Sequence, residues 1–107
     1  MEYNVVVAPR VERDLNEIYN YTIVESPVAA KRWLSSVLEE LARLRGFPRT
    51  YPLAPENAWF DGELRQMIVG RYRVIFSLVQ EDAEVHVLHV RHSSRRPAGR
   101  DIFRADP

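Results

Sequence analysis

The sequence predicts an α+β fold in which an N-terminal strand and a two-helix hairpin pack on one face of a twisted antiparallel sheet. Apolar residues recur at helical spacing in two long stretches, residues 11–24 and 27–45. Three strand-like runs follow within residues 64–92, and they are separated by Gly70 and by an acidic turn at residues 81–84. A helical pair that covers one face of a sheet is the simplest arrangement for the resulting order, β-α-α-β-β-β.

Length and composition indicate one soluble domain that spans residues 1–107. A chain with 46% hydrophobic and 28% charged residues can bury a single two-layer core. No apolar run approaches the roughly 20 residues that cross a bilayer, and the N-terminus has no signal pattern. We therefore expect a cytoplasmic protein with no membrane partner. The sequence contains no cysteine, which excludes disulfides and thiolate chemistry, and we expect neither a metal nor a cofactor.

The first half of the chain carries clear boundary signals. The strand at residues 3–8 ends at Pro9, which has no amide proton to donate. Ser26 and Pro27 predict the start of the second helix, because serine accepts from the free amides of a first turn and proline suits its first position. Gly46 suits a C-terminal helix cap.

The second helix has one wide apolar stripe. We expect this stripe to pack on the sheet, since a stripe of this width usually faces its own core; a partner-binding stripe that includes Trp33 and Leu41 is the alternative. The stripe consists of Ala30, Trp33, Leu34, Val37, Leu38, Leu41 and Leu44.

A long irregular segment, residues 47–63, separates the helices from the three strands. It contains three prolines, and Tyr51, Trp59 and Phe60 give it aromatic anchors. Loops of this length without regular structure are often functional, and the aromatic residues predict that this one packs against the domain.

The central strand, residues 72–80, alternates between two faces. The alternation predicts that Tyr72, Val74, Phe76 and Leu78 lie beneath the helices and that Arg73, Ile75, Ser77 and Val79 lie on an open face. The last strand, residues 85–92, is ambiguous. Leu88 and Val90 suit the core, which would place His92 near the core side unless the strand twists out. The two alternating sets are Val85, Val87, His89 and Arg91, and His86, Leu88, Val90 and His92.

Charge is unevenly distributed along a chain whose net charge is zero. Residues 1–63 carry seven basic against ten acidic residues, a balance of −3, and residues 64–107 carry eight arginines against five acids, a balance of +3. A genome rich in G and C explains the preference for arginine over lysine, but the clustering towards the C-terminus also fits an anionic partner, either nucleic acid or an acidic peptide.

Four features of the chain resemble the RelE/ParE superfamily of toxins from type II toxin–antitoxin modules. They are the strand–helix–helix start with Ser-Pro-Val-Ala-Ala at residues 26–30, Arg65 after the proline-containing loop, the strand Val-Gly-Arg-Tyr-Arg-Val-Ile-Phe at residues 69–76, and Val-Leu-His-Val-Arg-His at residues 87–92 followed by Arg95. The order and spacing, more than any single motif, carry the resemblance. The long second helix and its start are most similar to ParE-type plasmid-stabilisation proteins.

This resemblance implies a small cytoplasmic toxin that inhibits growth and is neutralised by a cognate antitoxin, which adds a strand or lays a helix in a groove. Any contact with operator DNA would be made only through the antitoxin. RelE-type members cleave mRNA on the ribosome, whereas characterised ParE-type members poison DNA gyrase.

Metal-free RNA cleavage needs a general base, a general acid and cations on the phosphate. The resemblance suggests Arg65, Arg73 and His92 for these roles, with Arg73 as the phosphate clamp. RNase members tend to present several lysines or a carboxylate on the strand at residues 64–69 and a tyrosine after the last strand, and this chain has neither pattern beyond Glu63 and Arg65.

The incomplete catalytic set favours a toxin that is not an enzyme and that binds a protein target such as DNA gyrase through its open sheet face and its basic C-terminal end. The alternatives are a ribosome-dependent, metal-independent endoribonuclease and a degenerate toxin that retains only antitoxin binding. The basic tail, residues 93–107, is either solvated, bound to nucleic acid or docked on an acidic antitoxin, and Ile102 and Phe103 suit a role in pinning it to the domain. The expected target- or antitoxin-binding residues are Arg65, Arg71, Arg73, Arg91, His92, Arg95 and Arg96.

Overall fold

The computed structural model describes residues 2–99, and its element order confirms the prediction. No helix in this part of the chain is long and apolar enough to cross a membrane. The elements are β1 (Asn4–Val7), α1 (Pro9–Glu25), α2 (Pro27–Arg43), two short 3-10 turns (Pro48–Thr50 and Pro55–Ala58), β2 (Glu63–Val69), β3 (Tyr72–Val79) and β4 (Glu84–His92).

The two helices form a hairpin with a one-residue link. Ser26 is extended and ends α1, and its hydroxyl accepts a hydrogen bond from the Ala29 amide at 3.1 Å. This contact is the predicted N-terminal cap of α2, and Pro27 occupies the first helical turn. The serine cap and the proline at this junction therefore determine where α1 ends and α2 begins.

The sheet has the order β1-β4-β3-β2 and is mixed. The pairs β2–β3 and β3–β4 are antiparallel as expected, whereas β1 runs parallel to β4. The Asn4 amide donates to the Ala83 carbonyl at 2.9 Å and the Ala8 amide donates to the Val87 carbonyl at 3.0 Å, which fixes this pairing. The direction of β1 depends on contacts between the two ends of the chain, and local periodicity does not encode it.

The main core lies between the sheet and the helices, on what we call the helix side. Val74, Phe76 and Leu78 of β3 are buried there, as the alternation predicts. Trp33 and Leu41 pack against this core, so the apolar stripe of α2 faces its own sheet. Leu38 is an exception, because its side chain is 56% exposed.

A β-bulge in β4 resolves the ambiguity of the last strand. Ile75 pairs with His89, but Phe76 pairs with Val87, so Leu88 is an extra residue. The bulge shifts the alternation, and valines on both sides of it reach the helix-side core while Leu88 packs on the opposite face. His92 consequently pairs with Tyr72 at the end of the sheet.

The face opposite the helices is covered, so the expected open face is wrong. Residues 52–54 pair with the edge of β2, where Leu53 is opposite Arg65, and residues 55–60 then cover this face, which we call the loop side. The Ala54 amide donates to the Leu64 carbonyl at 2.9 Å, and the Gln66 amide donates to the Pro52 carbonyl at 3.0 Å. Ala54 and Ile75 are buried in a second apolar cluster that Phe60 covers. The prediction that the aromatic loop packs is confirmed, and its packing closes the sheet face.

Candidate functional site

Arg73 projects from β3 into a buried ion pair on the loop side. Its Nη1 and Nη2 donate to Oε1 and Oε2 of Glu56 at 3.0 and 2.8 Å, and Nη1 also donates to Oε1 of Gln66 at 2.7 Å. The exposed fractions of the two charged residues are 5% for Arg73 and 0% for Glu56. The expectation that Arg73 presents its guanidinium on an open surface is therefore wrong.

Glu56 connects three parts of the chain. Besides the two bonds to Arg73, its Oε2 accepts a hydrogen bond from the Ala98 amide at 2.8 Å. Burial alone would raise the pKa of Glu56, but the bonds from Arg73 and Ala98 outweigh it and lower the pKa from 4.5 to about 2. The carboxylate is therefore charged at neutral pH and holds the loop, β3 and the tail together.

The sequence gives little indication that Glu56 joins these three parts of the chain. Glu56 follows Pro55 in an irregular stretch and its partners lie 17 and 42 residues away. The available signal was the position of this acid between the prolines and the aromatic residues of the loop.

The first part of the tail is docked on the domain. The Ala98 side chain is 2% exposed, and Nε of Arg91 donates to the Arg96 carbonyl at 3.0 Å. Residues 93–99 are thus tied to the loop side and to β4, which rules out a fully solvated tail over this range. Ile102, Phe103 and the two last arginines lie outside the described residues.

Arg65 fastens the loop to β2. Its Nε donates to Oε2 of Glu63 at 2.7 Å and its Nη1 donates to the Tyr51 carbonyl at 2.6 Å. Arg49 binds the same carboxylate, with Nη2 at 3.2 Å from Oε1. Burial would raise the pKa of Glu63, but the hydrogen bonds from Arg49 and Arg65 lower it. Arg65 is accordingly engaged in structural contacts and is only 18% exposed at its side chain.

His92 lies on the helix side, where it pairs with Tyr72 at the end of the sheet. Arg65 lies on the same side but pairs with Phe76, four residues along β3 from Tyr72. The His92 ring contacts the edge of Tyr72, with centroids 5.2 Å apart, and its Nδ1 accepts from the Ser94 amide at 3.1 Å. Arg73 is adjacent to Tyr72 and therefore projects to the opposite face of β3. The three residues considered for RNA cleavage are not brought together.

The remaining arginines gather where β4 ends, and we call Arg71, Arg91, Arg95 and Arg96 the basic end. The Ser93 amide donates to the Arg71 carbonyl at 2.8 Å, which joins the β2–β3 turn to the start of the tail. Within residues 2–99, none of the four forms an ion pair; Arg91 is 9% exposed and the other three are exposed. Burial and then the positive charges of Arg95 and Arg73 lower the pKa of Arg91. This unneutralised charge suits an anionic partner surface.

One further titratable pair lies in the interior. Nδ1 of His89 is 3.2 Å from Oδ2 of Asp14, and the same oxygen accepts from the Val90 amide at 3.2 Å. The His89 ring is 2% exposed and its Nε2 is buried with no partner in the described part of the chain. The ring has no access to a substrate. Among residues 2–99, no group of three or more His, Asp or Glu side chains could hold a metal ion.

Comparisons with known proteins agree with this fold. The "Chromosomal ParDE TA system from P. aeruginosa" is similar at a TM-score of 0.68 and 16% identity, over 85% of this chain and 96% of that one. The archaeal RelE–RelB complex from Pyrococcus horikoshii OT3 is similar at a TM-score of 0.58 and 23% identity, over 90% and 100% of the two chains. The toxin–antitoxin complex RelBE2 from Mycobacterium tuberculosis is similar at 0.59 and 23%, over 86% and 99%.

At these identities the similar structures establish the fold alone, and no individually curated sequence matches the chain. The family described as the ParE toxin of the type II toxin–antitoxin system, parDE, matches residues 5–97, which is most of the sequence. The chain is therefore a type II toxin of the RelE/ParE superfamily, and within it belongs to the ParE toxin family.

Proposed function

We propose that this toxin inhibits growth in the cytoplasm by binding a protein target such as DNA gyrase through its basic end, and that it does not act as a ribonuclease. A cognate antitoxin neutralises it, and operator DNA is reached only through that antitoxin. The RelE–RelB and RelBE2 structures are complexes of toxins with antitoxins, which supports such a partner for this chain.

The observation that carries the proposal is the separation of the RNase candidates. Cleavage without a metal requires an acid, a base and cations that converge on one phosphate. Arg73 is paired with the buried Glu56 on the loop side, and Arg65 is paired with Glu63 on the helix side. His92 also lies on the helix side, but it pairs with Tyr72, four residues along β3 from the Phe76 that pairs with Arg65. Freeing Arg73 would leave the Glu56 carboxylate buried and unpaired, a change that costs several kcal/mol.

The basic end supplies the binding chemistry. Its four arginines have no ion pairs among the described residues, and arginine is enriched in protein interfaces because its planar fork binds carboxylates and packs its aliphatic stem. The position of these residues at one end of the sheet produces a local positive field in a chain with no net charge. An acidic protein surface fits this field.

The proposal is tested by gyrase supercoiling with the purified toxin. We expect inhibition at about micromolar toxin, and we expect the double variant Arg95→Ala/Arg96→Ala to lose most of it, because both side chains are exposed and make no ion pair within residues 2–99. The variant Arg32→Ala is a matched control, since Arg32 is an exposed arginine on α2. Absence of inhibition by the wild-type toxin would contradict a gyrase target.

Two alternatives predict different results. A ribosome-dependent endoribonuclease that uses Arg65, Arg73 and His92 would cleave cellular mRNA after induction, and primer extension would reveal the cuts; loss of cleavage in His92→Ala would support that role. A degenerate toxin would bind its antitoxin but cause no growth arrest when induced.

A further inference from the structure

The turn that follows β4 brings a serine hydroxyl against a histidine ring. The Arg95 amide donates to the His92 carbonyl at 3.1 Å, so residues 92–95 form a tight turn that contains Ser94. Oγ of Ser94 lies 2.7 Å from Nδ1 of His92. Ser94 is exposed and His92 is half-buried, so a substrate can reach the serine oxygen while the ring stays against the domain.

The backbone of the turn decides which group donates in this contact. The Ser94 amide lies 3.1 Å from the same Nδ1, and an amide N–H can only donate. Nδ1 of His92 therefore presents its lone pair to the turn. The Ser94 hydroxyl faces the same lone pair and must donate its proton to it. A hydroxyl that is hydrogen-bonded to an imidazole lone pair in this way is an activated nucleophile.

Aromatic packing holds the His92 ring in place. Its edge contact with Tyr72 has centroids 5.2 Å apart and an interplanar angle of 75°. Tyr72 packs in turn on Trp33 at 5.3 Å, and Nε1 of Trp33 donates to the Val69 carbonyl at 3.1 Å. The imidazole is thus anchored to the helix side, and a general base that is fixed in this way keeps its alignment with the nucleophile.

Positive charge surrounds the serine. Arg95 follows it directly, and the Ser93 amide donates to the Arg71 carbonyl at 2.8 Å, which brings the β2–β3 turn beside it. Together with Arg91 and Arg96 these arginines form the basic end, which has no ion pair within residues 2–99. Arginines bind phosphate groups through charge-assisted hydrogen bonds. The basic end therefore attracts an anionic phosphate donor to the serine oxygen.

We propose that Ser94 is a modification site that accepts the γ-phosphoryl group of a nucleoside triphosphate, and that the phosphate switches off the basic end. In this reaction Oγ of Ser94 forms a bond to the γ-phosphorus, and the bond from that phosphorus to the oxygen that bridges it to the β-phosphorus breaks. The bridging oxygen keeps the electron pair and leaves with the nucleoside diphosphate. The hydroxyl proton passes to Nδ1 of His92.

The added phosphate changes the charge of the basic end. A phosphoserine carries about −1.5 to −2 charges at pH 7, so it offsets nearly half of the charge of the four arginines. Its oxygens also compete with the carboxylates of a partner for the neighbouring guanidinium groups. This consequence rests on the proposed function, which makes the basic end the target-binding surface, whereas the transfer to Ser94 does not depend on it.

The test incubates the purified full-length toxin with Mg²⁺ and ATP labelled at the γ-phosphorus, with and without an extract of the cells that encode it. We expect label on Ser94 by peptide mapping, and none on Ser94→Ala. The matched control is Ser93→Ala, because it removes the adjacent exposed hydroxyl and keeps the contact between Ser94 and His92. We expect this control to be labelled as fully as the wild type. Label that appears without the extract assigns the transfer to the toxin, and label that requires the extract assigns it to a kinase; both support the site.

The role of His92 has its own variant. His92→Phe keeps an aromatic ring against Tyr72 but has no lone pair, and it should slow the labelling of Ser94 about a hundredfold. Three results would overturn the inference. They are wild-type labelling rates in His92→Phe, no label on Ser94 in either arm, and label retained only from ATP labelled at the α-phosphorus, which would mean transfer of a nucleotidyl group.

Gyrase supercoiling separates this inference from the proposed function. We expect toxin phosphorylated on Ser94 to inhibit about tenfold or more weakly than untreated toxin, and Ser94→Ala treated with ATP to keep its inhibition. Equal inhibition by phosphorylated and untreated toxin would refute the switch. Labelling of Ser94 in a toxin that never inhibits gyrase would refute the proposed function and leave the modification site. Inhibition by a toxin that is never labelled would refute the site alone.

Discussion

Replacing Glu56 by alanine should lower the free energy of unfolding by about 3–5 kcal/mol, because it leaves the buried charge of Arg73 without its carboxylate. The side chains of the pair are 7% and 0% exposed, so water cannot replace the lost bonds easily. The Ala98 amide also loses its acceptor, which lies 2.8 Å away. Gln66, at 2.7 Å from Nη1 of Arg73, retains one bond and should keep the loss towards the lower end of the range.

Chemical denaturation at pH 7 measures this effect, and two further variants make it specific. Removing the charge from both partners, in Glu56→Gln/Arg73→Met, should recover part of the loss, since no unpaired ion is then buried. Glu63→Ala removes a carboxylate that is 28% exposed at its side chain and should cost about 1 kcal/mol or less. A loss below about 1 kcal/mol in Glu56→Ala, or a double variant less stable than the single one, would refute the reasoning.

Two other predictions concern titration. The pKa of Glu56 falls from 4.5 to about 2 on folding. The ionised Glu56 carboxylate therefore contributes fully to the free energy of unfolding above pH 4.5, and this contribution is lost as the pH falls towards 2. The stability of Glu56→Gln should accordingly depend less on pH across this window than that of the wild type. Burial, followed by the hydrogen bond from its hydroxyl to Glu40, raises the pKa of Tyr51 to about 12. A spectrophotometric titration should therefore show a late phenolate step near pH 12, which Tyr51→Phe should remove. A wild-type titration without a step that depends on Tyr51 near this pH would contradict the reasoning.

The buried pair also bears on the proposal that this toxin does not cleave RNA. Arg73 occupies the position that the resemblance assigns to a phosphate clamp, yet Glu56 and Gln66 occupy its donors. The docking of Ala98 on Glu56 places the start of the tail over the same region. The carboxylate of Glu56 therefore both stabilises the fold and occupies the guanidinium of Arg73.

Local sequence patterns were sufficient to predict the helices, the strands and the side chains that β3 places beneath the helices. The serine and proline at residues 26 and 27 predicted the helical hairpin, and the alternation in β3 predicted that Val74, Phe76 and Leu78 lie beneath the helices. These features depend on residues within one or two turns of each other. The apolar stripe of α2 was also correct apart from Leu38, which lies at its margin and is exposed.

Features that depend on distant pairing were not predictable in this way. The bulge at Leu88 shifts the faces of β4, and a single extra residue leaves no mark in a run of alternating apolar residues. The parallel direction of β1 likewise depends on its pairing with β4. The loop side was expected to be open, because an irregular segment does not reveal which surface its aromatic residues will cover.

The sequence by itself determined the order of elements, the helix-side core and the presence of arginines near the end of β4, because residue type and short-range spacing control these features. Only the tertiary structure decided which arginines are available. Arg73 has an acidic partner, Glu56, that folds onto it from the loop, and Arg65 has Glu63 two residues away on its own strand. The arginines of the basic end have no acidic partner within residues 2–99. The difference arises because a charge is satisfied by whatever the fold brings within about 3 Å, irrespective of distance along the chain.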